Sequence, residues 1–190
     1  MQNENKKSFL FKVAVARKIN AGVSLLCTLL IVSHAFYDSI WMCFHKLPMF
    51  PKVLSHVLAG VVVVHAVLSI VTAILGSGKK TNNQEKFYKK ENVKTLVQRL
   101  SGVLMIVLLP VHIFGMKGYL VPHVFHTIVH PIFFLAVYAH TAISFSKAFV
   151  TLGIGNAKVI KAIDIATSIF VSLLFVVSVV GLCLVMYGSW

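Results

Sequence analysis

Four histidines stand one apiece in four separate apolar stretches of this 190-residue chain: His34, His65, His112 and His140. Five more, His45, His56, His123, His126 and His130, lie in or near the ends of such stretches. An ionisable side chain inside a membrane is costly and by default marks a functional site. The plainer reading is a neutral ring bonded to a neighbouring helix. Neutral imidazole is a ready ligand for iron, zinc or copper. A zinc or copper pathway wants paired histidines on one helix or carboxylates. The interior histidines are single on their stretches, and the whole chain has 5 Asp and Glu. Iron in haem, with an imidazole on each face, suits the pattern better.

The elements that must position these rings follow from composition. The chain is 58% hydrophobic and 12% charged, with mean hydropathy +0.87. Soluble domains carry about 25% charged residues, so an ordinary cytosolic enzyme is excluded, as is disorder, which needs low hydrophobicity. Five apolar stretches are long enough to cross about 30 Å of hydrocarbon: about 19–44, 53–75, 95–116, 121–150 and 159–187. The expected architecture is all-α, one polytopic transmembrane domain over 1–190, with the first four helices forming a haem-binding bundle. The first stretch is too long for a signal peptide, carries Asp38 and has no cleavage pattern after it. Cys27, Cys43 and Cys183 are far apart, which excludes a disulfide framework, a thiolate zinc site and covalent haem attachment. They are expected as core residues.

Charge sets the orientation. Fifteen Lys and Arg fall in the N-terminal segment and the second and fourth connections, against Lys46, Lys52 and Lys117 on the other side. The positive-inside rule puts the N-terminus in the cytoplasm and Trp190 outside. The net charge of +13 is then a matter of topology, and no nucleic-acid partner is expected.

Depth sorts the four rings. At 1.5 Å per residue, His34 lies about 25 Å above the cytoplasmic edge at Arg17, and His112 about 20 Å above Arg99. His140 lies about 10 Å above the same edge, counted from Lys147, and His65 about 10 Å, counted from Lys52. His34 therefore pairs with His112 in the outer half and His65 with His140 in the inner half. Two stacked pairs suit two haems whose axial positions are both filled, so that they carry electrons and bind no oxygen. Small residues flank the ligands, namely Ser33, Ala35, Ala66, Ser69, Ala136, Ala139 and Ala142.

Gln98-Arg99-Leu100-Ser101-Gly102 followed by His112 resembles the third span of the cytochrome b anchor subunit of succinate dehydrogenases and fumarate reductases, of the five-span, di-haem type. Arg17 leading to His34 resembles that family's first span, His65 in VVHAVLS its second, and His140 in AVYAHTAISFSKAFVTLGI its fourth. The resemblance covers nearly the whole chain. It implies two haem b groups, with His34 and His112 holding the outer one and His65 and His140 the inner. It further implies a flavoprotein and an iron–sulfur subunit docked on the cytoplasmic face, and electron exchange with a membrane quinone, menaquinone by preference. Arg17, Gln98, Arg99 and Ser101 match positions that contact haem propionates or quinone. The chain departs from the family at Pro110, two residues before His112, which predicts a kink. It also has no acid at 136–139, where some members keep a glutamate for protons.

An outer quinone site would draw on Asp38, His45, His56, His123, His126 and His130. His123, His126 and His130 share one helical face, and Asp38 is one turn outward of His34. Asp164 is expected to pair with Lys158 or Lys161. The chain holds no dicarboxylate, flavin or iron–sulfur cluster motif, so any such chemistry belongs to partners. Two alternatives remain open: a di-haem anchor of another quinone-linked complex, such as a hydrogenase or formate dehydrogenase, and a haem-free, histidine-dependent transporter. The expected setting is the inner (cytoplasmic) membrane of the cell.

Overall fold

A computed structural model describes residues 2–44, 51–76, 88–115, 123–154 and 156–187. They form five helices: α1 (Gln2–Phe44), α2 (Lys52–Gly76), α3 (Tyr88–Gly115), α4 (His123–Leu152) and α5 (Ala157–Tyr187). All five are long and apolar enough to cross a membrane, and no strand occurs among the described residues. The all-α, polytopic reading of the sequence therefore holds.

The helix ends follow local chemistry. α1 begins well before the expected span because residues 2–18 contain no Gly or Pro and are rich in helix formers. Its 43 residues make it about 64 Å long, twice the thickness of the hydrocarbon. α4 stops at Gly153, whose φ of +83° suits glycine. Gly153 N donates to Val150 O at 3.1 Å and Ile154 N to Phe149 O at 3.0 Å, the paired bonds of a Schellman cap. Asn156 then opens α5, its Oδ1 accepting from Val159 N at 3.0 Å. Pro110 and Pro131 lie inside α3 and α4, and both helices continue past them.

α1 packs against α2, α4 and α5, and α4 packs against α1, α3 and α5. Among the described residues, no close backbone approach joins α1 to α3, or α2 to α4. The core lies where α1, α4 and α5 meet: Tyr138, Val171 and Leu174, with Val32, Ala35, Phe134, Ala142 and Phe175 against them. A buried hydroxyl cluster pins the same junction. Ser178 Oγ donates to Leu174 O at 2.8 Å, which commits its proton, so Ser39 (2.7 Å) and Tyr138 (2.6 Å) donate to Ser178. In lipid such bonds hold helices together because hydrocarbon offers no other partner. Gly181 allows the close approach of α5 to α1, since a Cβ there would lie 3.0 Å from Met42 Cβ and 3.3 Å from Ser39 O.

α2 and α3 are covered least. Val63, Val67, Ile70 and Ile74 of α2 and Leu100, Val103, Ile106 and Val107 of α3 are exposed, which suits helices whose solvent is lipid. Cys27 is buried as expected and Cys43 is half-buried, but Cys183 is exposed. It belongs to an apolar surface and not to the core.

Candidate functional site

The structure brings together the same two pairs that the depths select. The rings of His34 (α1) and His112 (α3) have centroids 6.3 Å apart at 77°. Those of His65 (α2) and His140 (α4) are 6.3 Å apart at 73°. Each pair joins two helices whose backbones do not otherwise approach one another.

That separation has a direct chemical reading. Two imidazoles on opposite sides of one first-row metal, each bonded at about 2.0–2.1 Å with its ring centre about 1.1 Å behind the nitrogen, have centroids about 6.2–6.4 Å apart. Edge-to-face contact alone also covers about 4.5–7 Å. Both pairs lie inside that range and are edge to face. Among the described residues no three His, Cys, Asp or Glu side chains form a metal cage. Haem brings most of its iron's ligands with it, so two imidazoles from the protein would be enough to hold it.

The second nitrogens fix the tautomers. His65 Nδ1 is 3.0 Å from Asn20 Oδ1. His140 Nδ1 is 2.9 Å from Gln98 O, and His34 Nδ1 is 3.0 Å from Asp38 Oδ2. An amide oxygen and a backbone carbonyl only accept, so in His65 and His140 Nδ1–H donates, while the His34–Asp38 contact is a close approach of charge without hydrogen-bond geometry. In the neutral His65 and His140 rings this leaves the Nε2 lone pair for a metal, the arrangement common to metal-ligating histidines. His112 is held differently. Its Nδ1 is buried with no hydrogen-bond partner among the described residues. The ring stacks on Phe133 at 4.7 Å and 22°, with the His130 ring 5.3 Å away.

The inner pair sits in a polar setting that α1, α3 and α4 build. Asn20 Nδ2 donates to Ser69 Oγ at 3.3 Å, tying α1 to α2 beside His65. Gln98 Nε2 donates to Ser144 Oγ at 3.0 Å, and Lys147 Nζ donates to Gln98 Oε1 at 3.0 Å. Ser101 Oγ lies 3.3 Å from His140 Nδ1. Gly102 leaves room for the ring: a Cβ there would be 3.2 Å from His140 Cε1. Gln98 and Ser101, matched by the resemblance to propionate or quinone contacts, thus lie against His140. Arg17 and Arg99 are exposed.

The other candidates are scattered. Asp38 meets His34. His130 is the most buried large side chain, 1% exposed, and packs beside His112 and Phe134. His56 is exposed and its Nδ1 bonds Lys52 O of its own helix at 2.6 Å. His123 and His126 lie in the first turn of α4, and their side chains, like the whole of His45, are outside the described residues. Asp164 takes neither of its expected partners. Its carboxylate accepts from Ser146 of α4 and pairs with Lys94 of α3 at 3.6 Å. Both partners come from other helices, α4 and α3, whose side chains reach this part of α5. Asn20 carried no sequence signal, and Gly102 stood in the QRLSG segment with no role assigned: only the helix arrangement brings them to the rings. The chain matches no family model, no curated protein and no solved structure.

Proposed function

We propose that this chain is a di-haem cytochrome b membrane anchor of a succinate:quinone oxidoreductase or quinol:fumarate reductase. On this reading it links flavoprotein and iron–sulfur subunits on the cytoplasmic face to quinone in the membrane. The observation that carries the reading is the pairing of imidazoles at two depths, both at 6.3 Å, with Nδ1 hydrogen-bonded in both rings of the inner pair. The family-like order of four histidines and the QRLSG segment (98–102) supply the family.

His34 and His112 would hold the outer haem, and His65 and His140 the inner. When bound, haem would supply one-electron transfer. The chain's own residues do the rest. Asn20 and the Gln98 carbonyl hold His65 and His140 in the tautomer that presents Nε2. Gly102 keeps the face of α3 open to the His140 ring. The apolar bodies of the helices exclude water and lower the local dielectric, which sets the potentials. Basic segments hold the N-terminal end in the cytoplasm, where soluble partners would dock. Moving one charge across 100 mV is worth about 2.3 kcal/mol, so a quinone reacting near the outer pair is coupled to the membrane potential.

The test is a reduced-minus-oxidised optical spectrum of the purified chain, with haem quantified per polypeptide. Two low-spin b haems are expected, falling to one in His34→Ala and in His65→Ala. A folded chain made with haem available and binding none overturns the reading. Co-purification with flavoprotein and iron–sulfur subunits from its native membrane separates this complex from another quinone-linked one.

A further inference from the structure

The two histidine pairs differ in what stands behind them. His65 Nδ1 meets a neutral amide and His140 Nδ1 a backbone carbonyl. His112 Nδ1 has no hydrogen-bond partner among the described residues and packs against Phe133. His34 Nδ1 meets the Asp38 carboxylate at 3.0 Å. Of these three groups, only Asp38 brings a formal charge to a ring nitrogen.

Asp38 is one helical turn from His34 on the same helix, so the contact is built into α1 and needs no other element to form it. Both side chains are largely covered, with 29% and 22% of their surfaces exposed. Ser39, the next residue, is 1% exposed and tied to Ser178, which fixes the rotation of this turn of α1. The carboxylate is therefore held on the ring by a packed helix and is not a mobile surface group.

We propose that Asp38 is a positioning residue for the outer site: its carboxylate lies against the His34 ring and lowers the reduction potential of the iron that His34 would ligate. This inference rests on the di-haem reading above. The physical basis is charge. A negative charge beside the site favours the oxidised iron, which carries one more positive charge than the reduced form. The effect falls with distance and is strongest at the outer pair. Asp38 has thereby a role distinct from quinone or proton chemistry.

The test is an optical redox titration of the purified two-haem chain beside Asp38→Asn and Asp38→Glu. Asparagine keeps the shape and an accepting oxygen but removes the charge. The expected result for Asp38→Asn is two haems, with one wave moved positive and the other moved less. A tenfold loss in the preference for the oxidised form reads as about 59 mV in a one-electron couple. Asp38→Glu should move that wave less than Asp38→Asn. Electron paramagnetic resonance should show a changed low-spin signal for one haem only. Repeating the titration in His65→Ala, where only the outer haem remains, assigns the wave. Two haems with unmoved waves and unchanged signals in Asp38→Asn overturn the proposal, as does an equal shift in both waves. Should Asp38→Asn lose the outer haem, Asp38→Glu decides: a retained haem near the parent potential supports the charge, and a second loss refutes it. A parent chain without haem would sink the di-haem reading itself, a different failure from unmoved waves in a chain that holds both.

Discussion

Enlarging Gly102 should empty the inner site and leave the outer one filled. Gly102 stands on α3 with its missing Cβ 3.2 Å from His140 Cε1 and 3.4 Å from Nδ1. Ordinary carbon contacts lie at about 3.5–4.0 Å, so alanine would press the ring back by a few tenths of an ångström. The ring cannot simply slide away, because Nδ1 is bonded at 2.9 Å to Gln98 O on the same helix. Overpacking of this kind costs about 1–3 kcal/mol. Glycine to alanine in a helix returns about 0.8–1.0 kcal/mol. The net for Gly102→Ala is then about 0–2 kcal/mol, up to roughly 30-fold in inner-haem retention. Gly102→Leu adds a branched side chain that α3 and His140 have no room for, and the expected stoichiometry is one haem per chain. The assay is haem per polypeptide with the difference spectrum, the outer haem serving as internal control. A Gly102→Leu chain with two haems and an unaltered spectrum would refute the claim that α3 sits against His140 as a ligand platform.

Three further outcomes are expected. Asn20→Ala removes the acceptor of His65 Nδ1. A buried donor left unpaired costs about 1–3 kcal/mol, and inner-haem affinity should fall roughly 10–100-fold, as for other outer-shell partners; haem retention on dilution measures it. Ser178→Ala breaks the hydroxyl cluster of α1, α4 and α5 and should lower stability in detergent by about 1–2 kcal/mol without changing the haem count. Gly153→Ala forces an alanine to φ +83° at the α4 cap, at about 1–2 kcal/mol; thermal unfolding should register it while the visible spectrum stays unchanged.

The helices were legible because hydrophobic length is a strong signal, and the loops between them carry Gly, Pro or charge. The His pairing was legible because rise per residue converts sequence position into depth without knowing how helices pack. The start of α1 was not, since positions 2–18 are too polar to count as a span yet have nothing to break a helix. The second nitrogens were only partly legible. Asp38 lies at i+4 from His34, a local relation that sequence displays. Asn20 is 45 residues from His65 and meets it only through the packing of α1 on α2. Gln98 acts on His140 through its backbone carbonyl, which the side-chain type does not announce. Asp164 was misread because its partners, Ser146 and Lys94, come from other helices.

α2 and α3 each lie against a single helix by backbone packing among the described residues, α2 on α1 and α3 on α4. Each also presents a histidine ring to a partner on a further helix, and α3 adds the Lys94–Asp164 pair to α5. On the proposed function, the ligand held by each histidine pair is therefore also a fastener for a helix. A ligand at 1,000 times its dissociation constant adds about 4.1 kcal/mol to the state that binds it, comparable to much of a small protein's net stability. Supply of the cofactor would then govern how much of this chain survives in the membrane. A cell short of haem would lose the protein itself to proteolysis, and abundance would report on cofactor supply.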